Sequence, residues 1–455
     1  MNFKLHNLIF VFALFSIHLI PFADSFSFET LPILLIIFCI FIFLLIDRNL
    51  LGYINNEKLI FYLIAFTIIL FFKDLLLGKA NIVELIKYLV GPVIYLFYRN
   101  LKKFLDINEL IIFGISIFVL YLIFKFQPTP IFNFTCNYLE FFISRYQCDN
   151  TFNVTIKLLR PFLITPEPSY LSLMLSFYLI LLFSLKIKVI NNKKKLFIVI
   201  LEILICFLII STYSRVGLLF VFIYFLYYVN FLIKDFNFKI KKYVVPIILS
   251  SLIIMFYLNF KSNIFNDKLL NINSRNVLNI DKIFSSLDGD SNKDFLISGN
   301  KYKTTNDVLA LISNKEPTGF IRILHNYISI KQSFKNNLIG YGIGSYPLIW
   351  YEHVIDLDLK YILKTNEVMA NWNENKKQYV QNYFFSTLHD GGIFTSIFIL
   401  LLLFKTLKKI IISKNKFNYV IFSYVIMTLF FQSPISSPYP WLALAIINFS
   451  NTKNA

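Results

Sequence analysis

Charged residues are scarce in this sequence. Asp, Glu, Lys and Arg make up only 15% of its 455 residues, whereas hydrophobic residues make up 57%. Soluble domains average about 25% charged residues, and their apolar positions alternate with polar ones to leave one face wet. Here the apolar residues come in long runs, and the mean hydropathy is +0.65. The composition therefore argues against a soluble protein and predicts an integral membrane protein.

Acidic residues are few as well, and the net charge of +18 reflects 44 basic against 26 acidic residues. The lysines cluster in short stretches between the apolar runs. No basic stripe with interleaved aromatic residues lies outside these runs, so a nucleic-acid partner is not expected. Clustered lysines are instead typical of the cytoplasmic loops of membrane proteins.

The sequence has only four cysteines and five histidines, and no Cys/His spacing in it matches a zinc site. Cys39 and Cys206 lie in apolar runs and are interpreted as packing residues. Cys136 and Cys148 share a segment that we place outside the cytoplasm. Either a disulfide or two free thiols would fit there.

Windows of about 17 to 25 apolar residues predict the membrane-spanning helices. They cover residues 8–23, 31–46, 59–72, 82–98, 110–124, 170–185, 196–210, 216–233, 243–258, 383–404, 419–431 and 438–449. The first, behind Lys4, could be a secretory signal, but no small-x-small cleavage site follows it, so we predict a retained helix. The predicted fold class is an all-α polytopic membrane protein with about 12 transmembrane helices and a large external loop.

These helices divide the chain into five parts. Residues 1–124 hold helices one to five, 125–168 form a first external loop, 169–258 hold helices six to nine, 259–382 form the large external loop, and 383–455 hold the last three. The lysine clusters after the sixth, eighth and tenth helices then fall on one side, together with both termini. Lysine-rich loops stay on the cytoplasmic side, so we predict cytoplasmic termini and two external loops.

Arginine is scarce too, and three arginines are placed informatively. Arg160 precedes Pro161 shortly before the sixth helix, Arg215 lies in a very short external turn, and Arg322 lies late in the large loop. A single arginine at a membrane interface is usually explained by contact with lipid headgroups. Three on one face favour a diphosphate site, because the planar guanidinium suits bidentate contacts with phosphate.

The segment around Arg322 is predicted to form an amphipathic helix. Arg322, His325, Asn326 and Ser329 follow an i, i+3, i+4, i+7 pattern and would share one face, for which a solvated side is the simpler explanation. The glycine-rich run 340–347 superficially resembles a dinucleotide loop. We expect neither a strand before it nor a helix after it, and predict a glycine turn that approaches the membrane.

Two side chains are candidates for a general base. Glu167 lies between two prolines at the start of a predicted helix, which fixes the backbone around it. His389 precedes residues 390–392 at the start of the tenth helix, and histidine is the side chain best suited to accept a proton near neutrality. A satisfied polar residue at the interface is the alternative for His389. Asp288 and Asp290 resemble the acid pair of sugar-nucleotide glycosyltransferases, but we interpret them as an ordinary loop.

Four short elements resemble the O-antigen polymerase and O-antigen ligase family (Wzy-like and WaaL-like membrane proteins). They are Glu167-Pro168-Ser169-Tyr170, the Ser214-Arg215-x-Gly217 turn, Arg322 ahead of Gly340-x-Gly342-x-Gly344, and His389 with Gly391-Gly392. Their order and the layout of the predicted helices are also similar over most of the chain.

The resemblance implies a membrane glycosyltransferase of the GT-C type in a bacterial inner membrane, acting on the external face. Such an enzyme transfers a glycan from undecaprenyl diphosphate to a hydroxyl of an acceptor glycan and builds lipopolysaccharide O-antigen or another surface polysaccharide, without a metal or other cofactor. Carried over by position, Arg160, Arg215 and Arg322 would bind diphosphate or glycan, with His325 beside them. Glu167 or His389 would be the catalytic base. The implied partners are the lipid-linked oligosaccharide, membrane lipids and a chain-length regulator protein.

We expect a polymerase, and the ligase, which shares the chemistry, is the nearest alternative. A flippase for lipid-linked oligosaccharides is the alternative from another class, since Glu84, Lys87 and Glu202 lie inside apolar runs and could belong to a translocation path. Transporters usually show inverted repeats and discontinuous helices near the midplane, and neither is clear in this sequence.

Overall fold

The computed structural model describes residues 5–15, 57–76, 82–102, 105–126, 168–186, 189, 191–235, 317–360, 363 and 378–449, except a few positions inside 191–235, 317–360 and 378–449. The described residues are 88% helical, and no strand occurs among them. The predicted all-α class is therefore confirmed for this part of the chain.

The described helices are numbered here in chain order. They are α1 (Leu5–Phe15), α2 (Lys58–Leu76), α3 (Ile82–Leu101), α4 (Ile107–Phe126), α5 (Pro168–Lys186), α6 (Asn192–Ser211), α7 (Arg215–Asp235), α8 (Pro317–Lys335), α9 (Tyr346–Asp356), α10 (Tyr383–Ser413), α11 (Lys416–Phe431) and α12 (Tyr439–Phe449). All except α8 and α9 overlap predicted membrane spans, while predicted spans 31–46 and 243–258 lie outside the described residues.

Two of the described helices are long and apolar enough to cross a membrane. These are Lys58–Leu76, which is α2, and Ser169–Lys186 within α5. Shorter apolar helices occur at Ile107–Leu122, Arg215–Tyr228 and Lys416–Phe431. The apolar helices support association with a membrane, and the number of spans remains a prediction.

The centre of the helical bundle is packed with aromatic side chains. Phe15 of α1 stacks on Phe113 of α4 with ring centroids 4.6 Å apart, and Phe177 of α5 lies 5.3 Å from Tyr439 of α12. Nearly every side chain of α5 is buried, because this helix is apolar on all sides and neighbours surround it. The start of α5, which carries Ser169, is thus held by the core.

Helices α2 and α10 run antiparallel, which defines two ends of the bundle. Lys405 of α10 bonds Glu57, just before α2, at 2.9 Å. At the other end of α2, Asp74 accepts a hydrogen bond from the Ile343 amide at 2.7 Å. This second end also holds Asp390 of α10, and we call it the site end.

Helices α5 and α10 run in the same direction in this bundle. Phe183, near the end of α5, packs on Phe417 of α11 with ring centroids 4.2 Å apart. Asn418, the next residue of α11, bonds Ser413 at the end of α10. The last residue of α5, Lys186, therefore lies at the same end as Lys405, which we call the lysine end.

A buried ion pair joins three helices at the lysine end. Lys186 of α5 donates hydrogen bonds to both carboxylate oxygens of Glu202 in α6, at 3.0 and 2.7 Å, and to the Tyr228 hydroxyl of α7 at 3.1 Å. Both charged side chains are almost fully buried. Glu202, one of the three charged residues that the sequence could have assigned to a translocation path, is therefore neutralised by Lys186 in the packed bundle.

Replacing Glu202 by glutamine leaves the Lys186 ammonium buried without its counter-charge. We expect the single variant to lose roughly 3 kcal/mol of stability, whereas the double variant Lys186→Met, Glu202→Leu stays close to the parent, because both desolvated charges are gone. Thermal unfolding of the purified protein in detergent, followed by size exclusion, measures both. Equal losses in the single and double variants would show that the pair itself stabilises the bundle.

Candidate functional site

The long helix α10 is broken at Gly392. This residue has φ +73° and ψ −169°, a conformation that residues with a side chain rarely adopt. The break also allows a close backbone approach, because a Cβ at Gly392 would lie 2.5 Å from the Ile339 carbonyl carbon. The amide of Ile393 bonds the Leu338 carbonyl at 2.8 Å instead of a carbonyl of its own helix.

The segment between α8 and α9 fills this break. With the helical pattern interrupted, the carbonyls of His389 and Asp390 accept hydrogen bonds from the amides of Tyr341 at 3.0 Å and Gly342 at 2.9 Å. Gly342 has φ +115°, so a glycine is favoured there. The glycine run therefore caps the broken helix, which explains why glycines stand at these positions.

The Asp390 carboxylate joins four parts of the chain at the site end. Its Oδ2 accepts from the Tyr88 hydroxyl of α3 at 2.6 Å and from the Gly344 amide at 2.9 Å. Its Oδ1 accepts from the Ser345 hydroxyl at 3.2 Å and from the Tyr346 amide at 3.3 Å. The last two donors lie at the start of α9, where the helix dipole also favours a negative charge.

His389 is fully buried and both of its ring nitrogens are engaged. Nδ1 lies 2.6 Å from Asp390 Oδ1, and Nε2 lies 2.9 Å from Nε2 of His353 in α9. The Tyr341 ring stacks on the imidazole, with ring centroids 4.8 Å apart and an interplanar angle of 9°. At such a distance one imidazole donates and the other accepts, so the pair is held together by a shared proton.

The neutral forms of His353 and His325 are favoured at this site. Burial, together with the neighbouring His389, lowers the pKa of His353 to about 3, although Asp356 opposes the shift. Burial lowers the pKa of His325 to about 4. The Nδ1 of His325 lies 2.7 Å from the Tyr346 hydroxyl, which links α8 to the start of α9.

These two pKa values predict that α8 and α9 lose stability in acid. In the unfolded chain both histidines have a pKa of about 6.5 and bind protons more readily than in the folded chain. Their contribution to folding stability is therefore complete above pH 6.5 and declines as the pH falls toward 4. Lowering the pH from 7 to 5.5 should cost roughly 1 kcal/mol per histidine. Hydrogen exchange of residues 317–360 at the two pH values measures this effect.

A His353→Asn variant provides the control for this effect. It removes one of the two histidines whose pKa is lowered, so the change in protection from hydrogen exchange between pH 7 and 5.5 should fall by about half. Equal protection of the parent protein at both pH values would contradict the assignment of neutral, buried histidines.

A second cluster lies at the start of α5. Arg322 of α8, which is partly buried, donates a hydrogen bond to the Ser169 hydroxyl at 3.3 Å. One turn later in α5, Ser172 packs closely on Gly217 of α7. A Cβ added at Gly217 would lie only 2.8 Å from the Ser172 Cβ. Gly217 is two residues from Arg215, which is exposed at the first position of α7. The starts of α5 and α7 and the arginine of α8 therefore meet.

The structure thus brings together elements that are far apart in the chain. Arg322 contacts the Ser169 that belongs to the 167–170 element, and the glycine run contacts His389 and Asp390. Arg160 and Glu167 lie outside the described residues, as do the Cys136–Cys148 pair and the 288–290 acid pair. Their predicted roles therefore remain predictions.

Two expectations about the large loop are wrong. A helix, α9, does follow the glycine run, because Pro347 suits the first turn of a helix and Asp390 caps its start. The predicted helix around Arg322 is confirmed as α8, but its His325 and Ser329 are not solvated. Both are completely buried, because α8 packs this side against α9 and α10.

Sequence reasoning missed the partners of His389 and Asp390. His353 stands in an ordinary-looking Tyr-Glu-His stretch, and Tyr88 is one aromatic residue among many in an apolar helix. Asp74 gave a detectable signal, since a carboxylate at the end of an apolar helix is costly unless it is bonded. Among the described residues, no three His, Cys, Asp or Glu side chains are grouped so that they could hold a metal ion.

No family model matches the chain, and no curated protein sequence matches it either.

Proposed function

We propose that this chain is a bacterial membrane glycosyltransferase that polymerises lipid-linked oligosaccharide units into a surface polysaccharide. The observation that carries the proposal is the contact of Arg322 with Ser169, residues 153 positions apart. It joins two of the elements on which the family resemblance rests, and the Arg215 turn packs beside them. Short motifs distributed along a chain gain weight when folding brings them together.

The proposed membrane arrangement places the lysine end in the cytoplasm and the site end outside. Lys186, at the end of α5, and Lys405, in the last third of α10, lie toward the same end of the bundle. This is expected if positively charged segments stay on the cytoplasmic side. Arg322 and His389 then lie at the external ends of the helices. A lipid-linked donor in the outer leaflet would have its diphosphate at this level.

The chemistry requires a fixed positive charge and a base. The bond between the donor anomeric carbon and the diphosphate oxygen breaks, the acceptor hydroxyl oxygen bonds that carbon, and the hydroxyl proton passes to a base. Arginines near the start of α5 would stabilise the charge on undecaprenyl diphosphate as it leaves. The partly buried position of Arg322 limits competition from water and would strengthen this effect.

His389 is the candidate base within the described residues, with Asp390 as the group that orients it. The carboxylate on Nδ1 fixes the imidazole ring and would stabilise its protonated form. In this structure His353 occupies the other nitrogen. An acceptor hydroxyl must take the place of His353 before His389 can accept a proton, so α9 would have to move. Glu167 remains the second candidate.

Analysis of the glycans made by cells with an inactive variant distinguishes the proposed function from its alternatives. Inactivation of a polymerase leaves single repeat units on the lipid carrier or surface acceptor at the external face. Inactivation of a ligase accumulates polymer on undecaprenyl diphosphate, and inactivation of a flippase leaves single units on the cytoplasmic leaflet. Gel analysis with leaflet-specific labelling separates the three outcomes. We expect external single units; units confined to the inner leaflet would refute the transferase.

Topology reporters provide the control for this experiment. Fusions after Lys195, Lys242 and Lys416 should report a cytoplasmic location, and one near Asp290 should report an external location. A cytoplasmic signal at Asp290 would contradict the proposed orientation, and the external site with it.

A further inference from the structure

Polar side chains of α8 face the protein interior. His325, Ser329, Gln332 and Ser333 have no exposed surface, and they follow the i, i+4, i+7, i+8 spacing of one helix face. Ser333 donates hydrogen bonds to the Ser329 carbonyl and to the Leu388 carbonyl of α10. In a helix on the surface of a soluble protein, such residues would usually face water.

Apolar side chains form a stripe on the opposite, outer side of α8. Ile323, Tyr327, Ile330 and Phe334 follow an i, i+4, i+7, i+11 spacing. Phe334 is 65% exposed, and Ile339, just beyond the helix, is 56% exposed. Ile323 is exposed as well, whereas Tyr327 and Ile330 between them are half-buried. Large apolar side chains exposed at both ends of the stripe indicate a surface that water does not cover.

The stripe lies at the level of the site end of the bundle. Helices α8 and α10 run parallel here, because Asn382 bonds Asn326 at 2.6 Å and Ser333 bonds the Leu388 carbonyl one to two turns later. Ile339 contacts Gly392 at the helix break. The C-terminal half of α8 is thus level with the first turns of α10, beside the end of α2.

The stripe continues into the apolar outer surface of the bundle. Phe394 of α10, two residues after the break, is 59% exposed, and its ring lies 6.0 Å from Phe66 of α2. Near the end of α2, Phe72 and Leu76 are exposed as well. Since α2 is long and apolar enough to cross a membrane, the same medium would cover α2, Phe394 and Ile339.

Two lysines border the stripe. Lys331 is exposed, with its ammonium 5.8 Å from the centre of the Tyr327 ring. Lys335 is exposed too and makes only a surface ion pair with Asp356. Such a pair is worth little, so its ammonium is available to other anions. Aromatic and apolar residues beside lysines are typical of helices that lie in the interface of a lipid bilayer.

We propose that α8 is an interfacial helix whose C-terminal half reaches into the outer leaflet, with Phe334 and Ile339 against lipid and Lys331 and Lys335 against phospholipid phosphates. This inference rests on the membrane placement of the proposed function. It gives α8 a second role: the helix that carries Arg322 is held at the lipid surface, where a lipid-linked diphosphate would be presented. The partner is the phospholipid leaflet.

Fluorescence quenching in vesicles tests the inference on the full chain. Single cysteines at Phe334, Ile339, Leu401 and Glu352, in a background without the four native cysteines, receive an environment-sensitive dye. Leu401 is an exposed apolar residue within α10 that reports membrane placement, and Glu352 is an exposed acid of α9 away from the stripe. Brominated phospholipids should quench the dyes at Phe334, Ile339 and Leu401 at least about twofold more than the dye at Glu352.

The outcomes separate this inference from the proposed function. Quenching at Leu401 but not at Phe334 and Ile339 would overturn the interfacial helix while membrane placement stands. No quenching at any position would contradict both. Crosslinking of Phe334→Cys between two copies, without quenching, would show that a second copy covers the stripe. In vesicles with anionic lipid, Lys331→Gln, Lys335→Gln should reduce quenching at Phe334, and an unchanged signal would overturn the role of the lysines.

Discussion

Replacing Arg322 by lysine should reduce glycan transfer by at least about a hundredfold. Lysine keeps the positive charge but loses the planar fork that binds a diphosphate in two places, and removal of one fixed donor to a developing anion costs roughly that factor. Arg215→Lys should have the same effect, since the α7 start packs beside the same segment of α5. Assay of transfer from a purified lipid-linked donor measures the effect.

Folding should survive both substitutions. The Arg322 contact with Ser169 is a single hydrogen bond at 3.3 Å in a partly buried position, and Arg215 is exposed. Lys360→Gln is the matched control, because it removes an exposed basic charge from the same 317–360 segment without touching the site. Normal transfer by both arginine variants would show that these residues contact lipid headgroups and not the reacting diphosphate.

Replacing Asp390 by asparagine should damage both folding and activity. The carboxylate accepts hydrogen bonds from Tyr88, Gly344, Ser345 and Tyr346 and contacts His389. Asparagine replaces one of the two accepting oxygens by an NH2 group, which would face the donors already present, and it removes the negative charge. The loss should be roughly 3 kcal/mol of stability. Thermal unfolding and the transfer assay, performed side by side, measure the two effects.

His389→Gln separates positioning from catalysis. If His389 accepts the acceptor proton, this variant should lose about a hundredfold in turnover while donor binding is retained. Asp356→Asn, which alters an exposed carboxylate of α9, should change neither stability nor turnover. Near-normal turnover of His389→Gln would make the histidine cluster a structural link between α9 and α10 and leave Glu167 as the candidate base.

The helices were predictable because their signal is local. A run of apolar residues of sufficient length specifies a buried or lipid-exposed helix wherever it occurs, so α2, α5 and α10 begin within two residues of their predicted starts. Polar spacing likewise predicted α8. The break at Gly392 was not predicted, because Gly391-Gly392 alone does not specify a kink. The break depends on Leu338 and Ile339, which approach from outside the helix.

The candidate site was predictable in part. The Arg322, Ser169 and Gly217 elements could be proposed from motif order, and the structure brings them together. The partners of Asp390 could not be proposed, because Tyr88 lies 302 residues away in the chain and nothing in its own segment distinguishes it. His353 was missed for the same reason. Its place opposite His389 follows from the packing of α9 against α10, and α9 itself was not expected.

Transfer by the purified chain in proteoliposomes tests the central claim most directly. The substrate is an undecaprenyl-diphosphate-linked oligosaccharide incorporated in the bilayer, and the products are resolved by gel and mass spectrometry. The proposed polymerase predicts a ladder spaced by one repeat unit, with one undecaprenyl diphosphate released for each linkage. The ladder should be absent in the Arg322→Lys protein. Vesicles that bind the donor but move it between leaflets without forming any glycosidic bond would contradict the account.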